Sequence, residues 1–311
     1  MGEVLINKAI DRCRYKVIVD ESYTRGFSLI YPFTTENIDG YIDYFDLDGK
    51  SLLTVGSSGD QAISARVKGA KDITIFDINP YTKFFYYFKV AALLALDMDE
   101  FLLFFRYKDY PRVFKDNRYV FKKDLFLKIK EVLRDLDLES YLFWDRLFDE
   151  FKGERIRKQL FSMDENRTYV IEGSCTYLKS HEYYELAKEL ILSTDIKFIT
   201  GDLFNMELNG KYDNIWLSNI GNYHNQYSIK FMIDKMYKLL NYKGRMLVSY
   251  LYQTEMNTVY NPADCDIYDL DRTFDNLKGY NVSLESFKGV QGLKFDDDTK
   301  DSIILLNKRL K

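Results

Sequence analysis

One stretch of the chain constrains its fold more than any other. The apolar run at 51–55 ends in a glycine turn at 56–59, a helical pattern follows, and a second apolar run at 73–76 ends in the acid Asp77. Gly56 and Gly59 allow a sharp turn and a close approach to a ligand, because neither has a Cβ atom. Asp77 lies 21 residues after Gly56, where a carboxylate at a strand tip can accept hydrogen bonds from both hydroxyls of a ribose. This order predicts a β-α-β unit that holds an adenosine.

The same turn distinguishes between nucleotide cofactors. A dinucleotide fingerprint counted from Gly56 needs glycines at positions 58 and 61, where the chain has Ser58 and Gln61. The G-x-x-x-x-G-K-[ST] pattern of a P-loop does not occur. S-adenosylmethionine contains no phosphate, and a G-x-x-G-D turn is sufficient for its amino-acid part. The residues therefore favour S-adenosylmethionine, and the alternative is an ordinary β-α turn with Asp77 as a helix cap.

Composition narrows the class of protein. With 311 residues, 46% hydrophobic and 30% charged, the chain can bury a sizeable core. A net charge of −4 gives no electrostatic reason to expect a nucleic-acid partner. Three widely spaced cysteines and two histidines provide neither a zinc-site spacing nor a disulfide framework, so we predict no metal and expect a cytoplasmic location. The apolar runs are too short for a transmembrane segment, and the oligomeric state stays open.

Strand-like and helix-like segments alternate along most of the chain. Strands are predicted near 51–55, 72–76, 196–200, 212–220 and 245–252, and helices near 60–69, 81–96, 177–192 and 226–240. The last two strand patterns, 282–287 and 302–306, have no helix between them and predict an antiparallel hairpin at a sheet edge. We therefore predict an α/β fold with a doubly wound, Rossmann-like sheet of the S-adenosylmethionine-methyltransferase type, since the hairpin separates it from the all-parallel dinucleotide fold.

Two regions depart from this alternation. Residues 1–50 combine a helix from about 3 to 16 with an extended stretch broken at Pro32. The candidate caps for the next helix, which includes Ile38, Tyr41 and Tyr44, are Thr35, Asn37 and the acids near them. We interpret 1–50 as an N-terminal cap on an α/β domain at 51–311. Residues from about 97 to 168 show apolar side chains only at helical spacing, which predicts a helical insertion. The insertion either packs on the domain or acts as a substrate lid, and both interpretations stay open.

The carboxyl ends of the parallel strands supply the candidate site, because ligands of doubly wound sheets bind beyond those ends. The candidate cofactor-binding residues there are Gly56, Ser57, Gly59, Asp60, Asp77, Ile78, Asn79, Asp202, Leu203 and Asn219. Asp202 suits the amino group of adenine, with Ile78 or Phe204 packing on the ring. Alternatively, Asp202 is a turn residue after Gly201.

The loop at 218–224 is the best candidate for chemistry. Group transfer from a sulfonium needs an aligned nucleophile and the removal of one proton. We predict that Asn219 holds the acceptor, Tyr223 orients the donor and His224 takes the proton. The alternatives are Asn219 as a helix cap, Tyr223 as a core residue and His224 as an exposed loop residue. His181 lies in a helical stretch and is interpreted as structural or surface.

Four short motifs also carry a resemblance. They are Tyr31-Pro-Phe-Thr-Thr-Glu-Asn37, Thr54-Val-Gly-Ser-Ser-Gly-Asp-Gln-Ala62, Phe76-Asp-Ile-Asn-Pro80 and Leu217-Ser-Asn-Ile220. With them the chain resembles the bacterial family of unknown function related to S-adenosylmethionine:diacylglycerol 3-amino-3-carboxypropyltransferase, the enzyme that starts betaine-lipid synthesis. The resemblance implies that Gly56, Gly59, Asp60 and Asp77 bind the cofactor and that the 31–37 segment, including Tyr31, lies near it.

Three functional hypotheses follow. The leading one is an S-adenosylmethionine-dependent transferase that moves a methyl or a 3-amino-3-carboxypropyl group to a small or lipid-like acceptor. The transferred group depends on which carbon of the sulfonium faces the acceptor, and the sequence does not fix this. The second is a non-catalytic sensor or interaction module that binds S-adenosylmethionine. A nicotinamide oxidoreductase is third, opposed by Ser58, Gln61 and the terminal hairpin.

Overall fold

A computed structural model describes the chain over residues 2–15, 29–34, 36–105, 121–161, 175–193, 196–220, 226–249, 277, 280–291 and 294–309, without the side chains of 226–229 and 284–302. The strands are β1 (Leu52–Val55), β2 (Ile73–Asp77), β3 (Ile196–Thr200), β4 (Tyr212–Trp216), β5 (Leu240–Ser249), β6 (Val282–Gln291) and β7 (Lys294–Asn307). The helices of the sheet domain and N-terminal region are α1 (Gly2–Tyr15), α2 (Ile38–Tyr41), α3 (Asp60–Val67), α4 (Thr82–Ala95), α9 (His181–Leu190) and α10 (Gln226–Leu239). Between α4 and α9 lie α5 (Met98–Phe105), α6 (Lys123–Leu136), α7 (Leu138–Glu150) and α8 (Gly153–Leu160). Short 3-10 turns occupy Ile42–Tyr44 and Thr176–Leu178.

The seven strands form one sheet in the order β3-β2-β1-β4-β5-β7-β6. β1 pairs in parallel with β2 and with β4, and β2 pairs in parallel with β3. The chain therefore builds outward from β1 in one direction and then returns to its other side, so the order reverses between β1 and β4. Such a switch point opens a crevice above the carboxyl ends of the strands.

The terminal hairpin is confirmed. β7 runs antiparallel to both β5 and β6, with Met246 opposite Leu306 and Leu284 opposite Ile304. With helices on both faces, this sheet confirms the predicted doubly wound α/β fold with an antiparallel finish.

Both faces of the central strands are buried, which explains their nearly continuous apolar sequence. In β1, Leu52 packs into the core on one face and Leu53 into the core on the other. β2 alternates in the same way, with Ile75 on the first face and Phe76 on the second. The second face is covered by α10 through Met232 and Ile233, while α3, α4 and the helices between α4 and α9 cover the first.

The boundaries of two elements differ from prediction. α4 begins at Thr82 with Tyr81 as its N-cap, one residue after the predicted start at 81. The Asn79 side chain lies just before this helix: its Oδ1 accepts from the Tyr81 N–H at 2.9 Å and its Nδ2 donates to the Leu29 carbonyl at 2.9 Å. β4 ends at Trp216 instead of continuing to 220, because Ser218 has a φ of +53° and leaves the extended conformation.

The N-terminal prediction of a capped short helix is confirmed, since the Asn37 side chain accepts from the Gly40 N–H at the start of α2. α1 packs against α7 and α8. Within the described part of the chain, no helix combines the length and apolar character needed to cross a membrane.

Candidate functional site

The glycine turn leaves β1 with an unusual backbone. Ser57 has a φ of +41° and Gly59 a φ of +81°, and the Gly59 N–H donates to the Gly56 carbonyl at 2.7 Å. A Cβ atom at Gly56 would lie 2.3 Å from Thr82 Cγ2 and 2.9 Å from Asp77 Oδ2. Position 56 therefore admits only glycine without a shift of its neighbours.

Asp77 lies directly across this turn at the tip of β2. Its Oδ2 accepts from the Ser57 N–H at 2.7 Å and its Oδ1 from the Asn79 N–H at 2.9 Å. Burial raises the pKa of the Asp77 carboxyl, although the hydrogen bonds from Asn79, Thr82 and Ser57 act in the opposite direction. The side chain is half-buried and the next residue, Ile78, is 38% exposed. The strand tip thus places a half-buried aspartate beside an exposed apolar side chain.

Asp60 was predicted to bind the cofactor, but its side chain is buried among protein donors. Its side chain has no exposed surface and is paired with Lys89. Its Oδ2 accepts from the Thr34 N–H at 2.6 Å and from Ser58 Oγ at 2.8 Å, and its Oδ1 accepts from Tyr177 Oη at 2.6 Å. Because protein donors surround both oxygens, any contribution of this side chain to ligand binding is indirect.

A second buried acid, Glu36, joins the N-terminal segment to the ends of β4 and β5. Its Oε1 accepts from Ser218 Oγ and, at 3.1 Å, from the Asn219 N–H. Its Oε2 accepts from Tyr41 Oη and, at 2.8 Å, from Ser249 Oγ. Burial raises the pKa of Glu36, and the four hydrogen bonds partly oppose that change. Glu36 therefore fixes the backbone where the loop after β4 begins.

The loop after β3 supports the turn interpretation of Asp202. Its Oδ1 accepts from the Phe204 N–H at 2.9 Å and its Oδ2 from Asn205 Nδ2 at 2.6 Å. Leu203 is buried, with an exposed fraction of 6%. Lys235 of α10 donates to the carbonyl of Leu203 at 2.8 Å. This loop is held by its own side chains and by α10.

The remaining predicted site residues divide into two groups. Tyr31 and Asn219 are half-buried, and the Asn219 backbone is tied to Glu36. Tyr223 and His224 lie outside the described residues. His181 is the exposed first residue of α9, as its surface interpretation predicts. Among the residues that the structure describes, no group of three or more His, Cys, Asp or Glu side chains is arranged to hold a metal ion.

Sequence reasoning missed Glu36, Lys89 and Tyr177. Apart from Tyr41, which follows Glu36 by five residues, their side-chain partners are distant in sequence, so no local pattern identifies them. Lys89 did have one signal: it is the only charged residue between 84 and 96. A lone ammonium group in an apolar helix needs a buried partner, because burying an unpaired charge is unfavourable.

Comparisons with known proteins find similar solved structures but no sequence family. No family model matches the chain, and no curated protein matches its sequence significantly. Similar solved structures include PigF with SAH, at 12% identity and a TM-score of 0.43 over 99% of this chain and 69% of that one. They also include the N-methyltransferase NodS from Bradyrhizobium japonicum WM9 with S-adenosyl-L-homocysteine, at 10% identity and a TM-score of 0.37 over 83% of this chain and 77% of that one.

A third similar structure is the magnesium protoporphyrin IX methyltransferase ChlM from Synechocystis PCC 6803 with bound SAH. It has 12% identity and a TM-score of 0.35 over 85% of this chain and 75% of that one. At such identities the likeness concerns the fold alone, and the strand order of the chain itself defines the fold class.

Proposed function

We propose that the chain binds S-adenosylmethionine above the carboxyl ends of β1, β2 and β4 and transfers a group from its sulfonium to an acceptor. The observation that carries this proposal is the pairing of Asp77 with the glycine turn at a topological switch point. The turn presents backbone where any larger residue than Gly56 would clash, and the acid of the neighbouring strand lies against that backbone.

Asp77 has the capacity to bind a ribose in addition to its protein partners. A carboxylate offers about four lone-pair sites, and the backbone N–H groups of Ser57 and Asn79 and the Thr82 side chain donate to this one. Asp77 as a whole residue is half-buried. The remaining acceptor capacity suits a ribose hydroxyl, and exposed Ile78 offers an apolar surface next to it for an adenine ring.

The acceptor side of the proposed site begins at Asn219. The hydrogen bond from its backbone N–H to Glu36 and the positive φ of Ser218 set the direction in which the chain leaves β4. We propose that Asn219 aligns the acceptor, and that Tyr223 and His224 complete this side of the site. Alignment contributes much of the rate in transfers of this kind, since the sulfonium is already an activated donor.

Cofactor binding is tested by isothermal titration calorimetry with S-adenosylmethionine and S-adenosylhomocysteine. Replacing Asp77 with alanine should weaken binding by about 1.5–3 kcal/mol, because charge-assisted hydrogen bonds are lost. Asp72→Ala is the matched control, since Asp72 is exposed at the opposite end of the same strand. Equal affinity in wild type and Asp77→Ala would remove Asp77 from the site, and no binding to the wild type would overturn the proposal.

The transferred group is identified by its coproduct. The protein is incubated with S-adenosylmethionine and a cell extract, and the nucleoside products are measured by mass spectrometry. S-adenosylhomocysteine above the level of an Asp77→Ala reaction indicates methyl transfer, whereas methylthioadenosine indicates 3-amino-3-carboxypropyl transfer. Binding without either product would favour the sensor or interaction module, and a lipid fraction of the extract tests whether the acceptor is lipid-like.

A further inference from the structure

Behind the glycine turn lies a fully buried polar cluster that the proposed transfer chemistry does not use. It consists of Asp60 at the start of α3, Lys89 in α4 and Tyr177 in the 3-10 turn before α9, and we call it the lysine lock. The Asp60 and Lys89 side chains have no exposed surface, and neither does Tyr177. The cluster brings together three elements that are distant in sequence.

Lys89 uses its ammonium group completely. Its Nζ donates to the Pro32 carbonyl at 2.9 Å, to the Ser58 carbonyl at 3.1 Å and to Asp60 Oδ1. An ammonium group has three N–H donors, so each has an acceptor. The Nζ atom also lies 4.4 Å from the centroid of the Phe33 ring, a cation–π contact. Lys89 is therefore bound on one side to the N-terminal segment and on the other to the glycine turn.

Asp60 makes the same connection through its carboxylate. It accepts from the Thr34 N–H in the N-terminal segment and from the Ser58 hydroxyl in the glycine turn. These are the same two segments that Lys89 joins. Two independent groups thus fasten residues 32–34 to Ser58. Stability alone does not explain this use of charge, because well-packed apolar residues often replace a buried ion pair without loss of stability.

The lysine lock contacts the glycine turn at Ser58. Ser58 lies next to Ser57, whose positive φ directs its N–H toward Asp77 Oδ2 at 2.7 Å. A residue without glycine's freedom holds a positive φ only when its surroundings enforce it. The bonds to the Ser58 carbonyl and hydroxyl supply that constraint one residue away.

We propose that Lys89, together with Asp60 and Tyr177, is a positioning residue of the cofactor site. It holds the 32–34 segment against Ser58 and so keeps the Ser57 N–H and Asp77 in the arrangement that receives the ligand. The inference rests on the proposed function, since S-adenosylmethionine is the ligand, and it adds that the site depends on an ion pair that does not touch the ligand.

The test separates folding from positioning by removing both charges. Lys89→Met alone leaves the Asp60 carboxylate buried without its cation and should lower the melting temperature strongly. The double variant Asp60→Asn/Lys89→Met should recover much of that loss, yet the Pro32 and Ser58 carbonyls still lack their donor. We expect its affinity for S-adenosylhomocysteine, measured by calorimetry well below its melting temperature, to fall by roughly tenfold or more.

Lys130→Met is the control for this substitution. Lys130 forms an ion pair with Asp145 at 3.0 Å between α6 and α7, away from the turn, so its loss should leave the affinity unchanged. Tyr177→Phe is a milder variant that removes one donor to Asp60 and should weaken binding in the same direction even if the double variant does not fold.

A second measurement does not involve the ligand. Hydrogen exchange of the Ser57 amide should become faster in Tyr177→Phe and in the double variant, because its bond to Asp77 loses its support, and should stay unchanged in Lys130→Met. Wild-type affinity and wild-type Ser57 protection in a folded lock variant would show that the cluster is only core packing. Absence of binding to the wild type would instead overturn the proposed function, and this inference with it.

Discussion

At the scale of single residues, the two buried acids differ in the charge of their partners. Asp60 faces the ammonium group of Lys89, whereas the four donors to Glu36 are neutral: the hydroxyls of Ser218, Tyr41 and Ser249 and the amide of Asn219. A neutral environment solvates a carboxylate less completely than water does, which is why burial raises the pKa of Glu36.

This difference predicts a pH dependence of stability. Below the pKa of an unfolded glutamate, Glu36 is protonated in both states; above its raised folded pKa, it is ionised in both, and the native state holds a buried charge. The native state binds more protons in between, so the free energy of unfolding falls as the pH rises through this window. Relative to Glu36→Gln, the wild type should therefore lose stability as the pH rises from about 4, where an unfolded glutamate titrates, to about pH 8.

Urea denaturation of both proteins across that pH range measures the effect. Other differences between glutamate and glutamine at this position, such as the amide donor in the variant, add an offset that does not vary with pH. A constant difference in the free energy of unfolding over the whole range would mean that Glu36 has the same pKa in the folded and unfolded proteins.

At the scale of elements, a glycine-to-alanine substitution should affect stability and ligand affinity after β1 but not after β3. Gly56→Ala places a methyl group against Thr82 Cγ2 and Asp77 Oδ2, so the turn or Asp77 must move. We expect a loss of about 1–3 kcal/mol in stability, as for other overpacked sites, together with weaker binding of S-adenosylhomocysteine. Melting temperature and calorimetry report the two effects.

Gly201→Ala is the matched substitution at the end of β3. Its added methyl would lie 3.4 Å from Met206 Cβ, an ordinary contact distance, and it should change neither stability nor affinity appreciably. Equal affinities in Gly56→Ala and Gly201→Ala would contradict the close approach of the ligand to the turn.

The sequence predicted most strands of the sheet but not the buried polar side chains that hold the loops at the strand ends. β1, β2 and β3 were predicted to within about one residue, because each is a short apolar run bounded by turn residues. The start of β5 at Leu240 was missed, since no turn residue separates it from α10. Glu36 and Lys89 could not be predicted because their roles depend on groups such as Ser218 and Asp60, which only the folded chain brings near them.

At the scale of the whole molecule, an aromatic core joins the helices between α4 and α9 to the sheet domain. Phe88 of α4 stacks on Trp144 of α7 with ring centroids 4.3 Å apart. The Trp144 Nε1 atom donates to the Phe84 carbonyl at 2.9 Å. Both the ring and its polar atom therefore depend on α4, which itself packs on the sheet. An insertion attached in this way should not unfold separately.

The two tryptophans of the chain allow this to be tested. Trp144 lies in α7, and Trp216 lies in β4 with its ring 5.5 Å from that of Tyr41. Trp216→Phe leaves fluorescence only from the insertion, and Trp144→Phe leaves it only from the sheet. Within each variant, the urea transition seen by fluorescence should coincide with that seen by far-UV circular dichroism, as expected for one cooperative unit. We also expect Trp144→Phe to destabilise the protein by roughly 1–3 kcal/mol, because the smaller ring leaves a gap beside Phe88 and the hydrogen bond to the Phe84 carbonyl is lost. If Trp144 fluorescence changed at lower urea than the dichroism in Trp216→Phe, the insertion would be a separate folding unit, and the interpretation of 51–311 as one domain would be wrong.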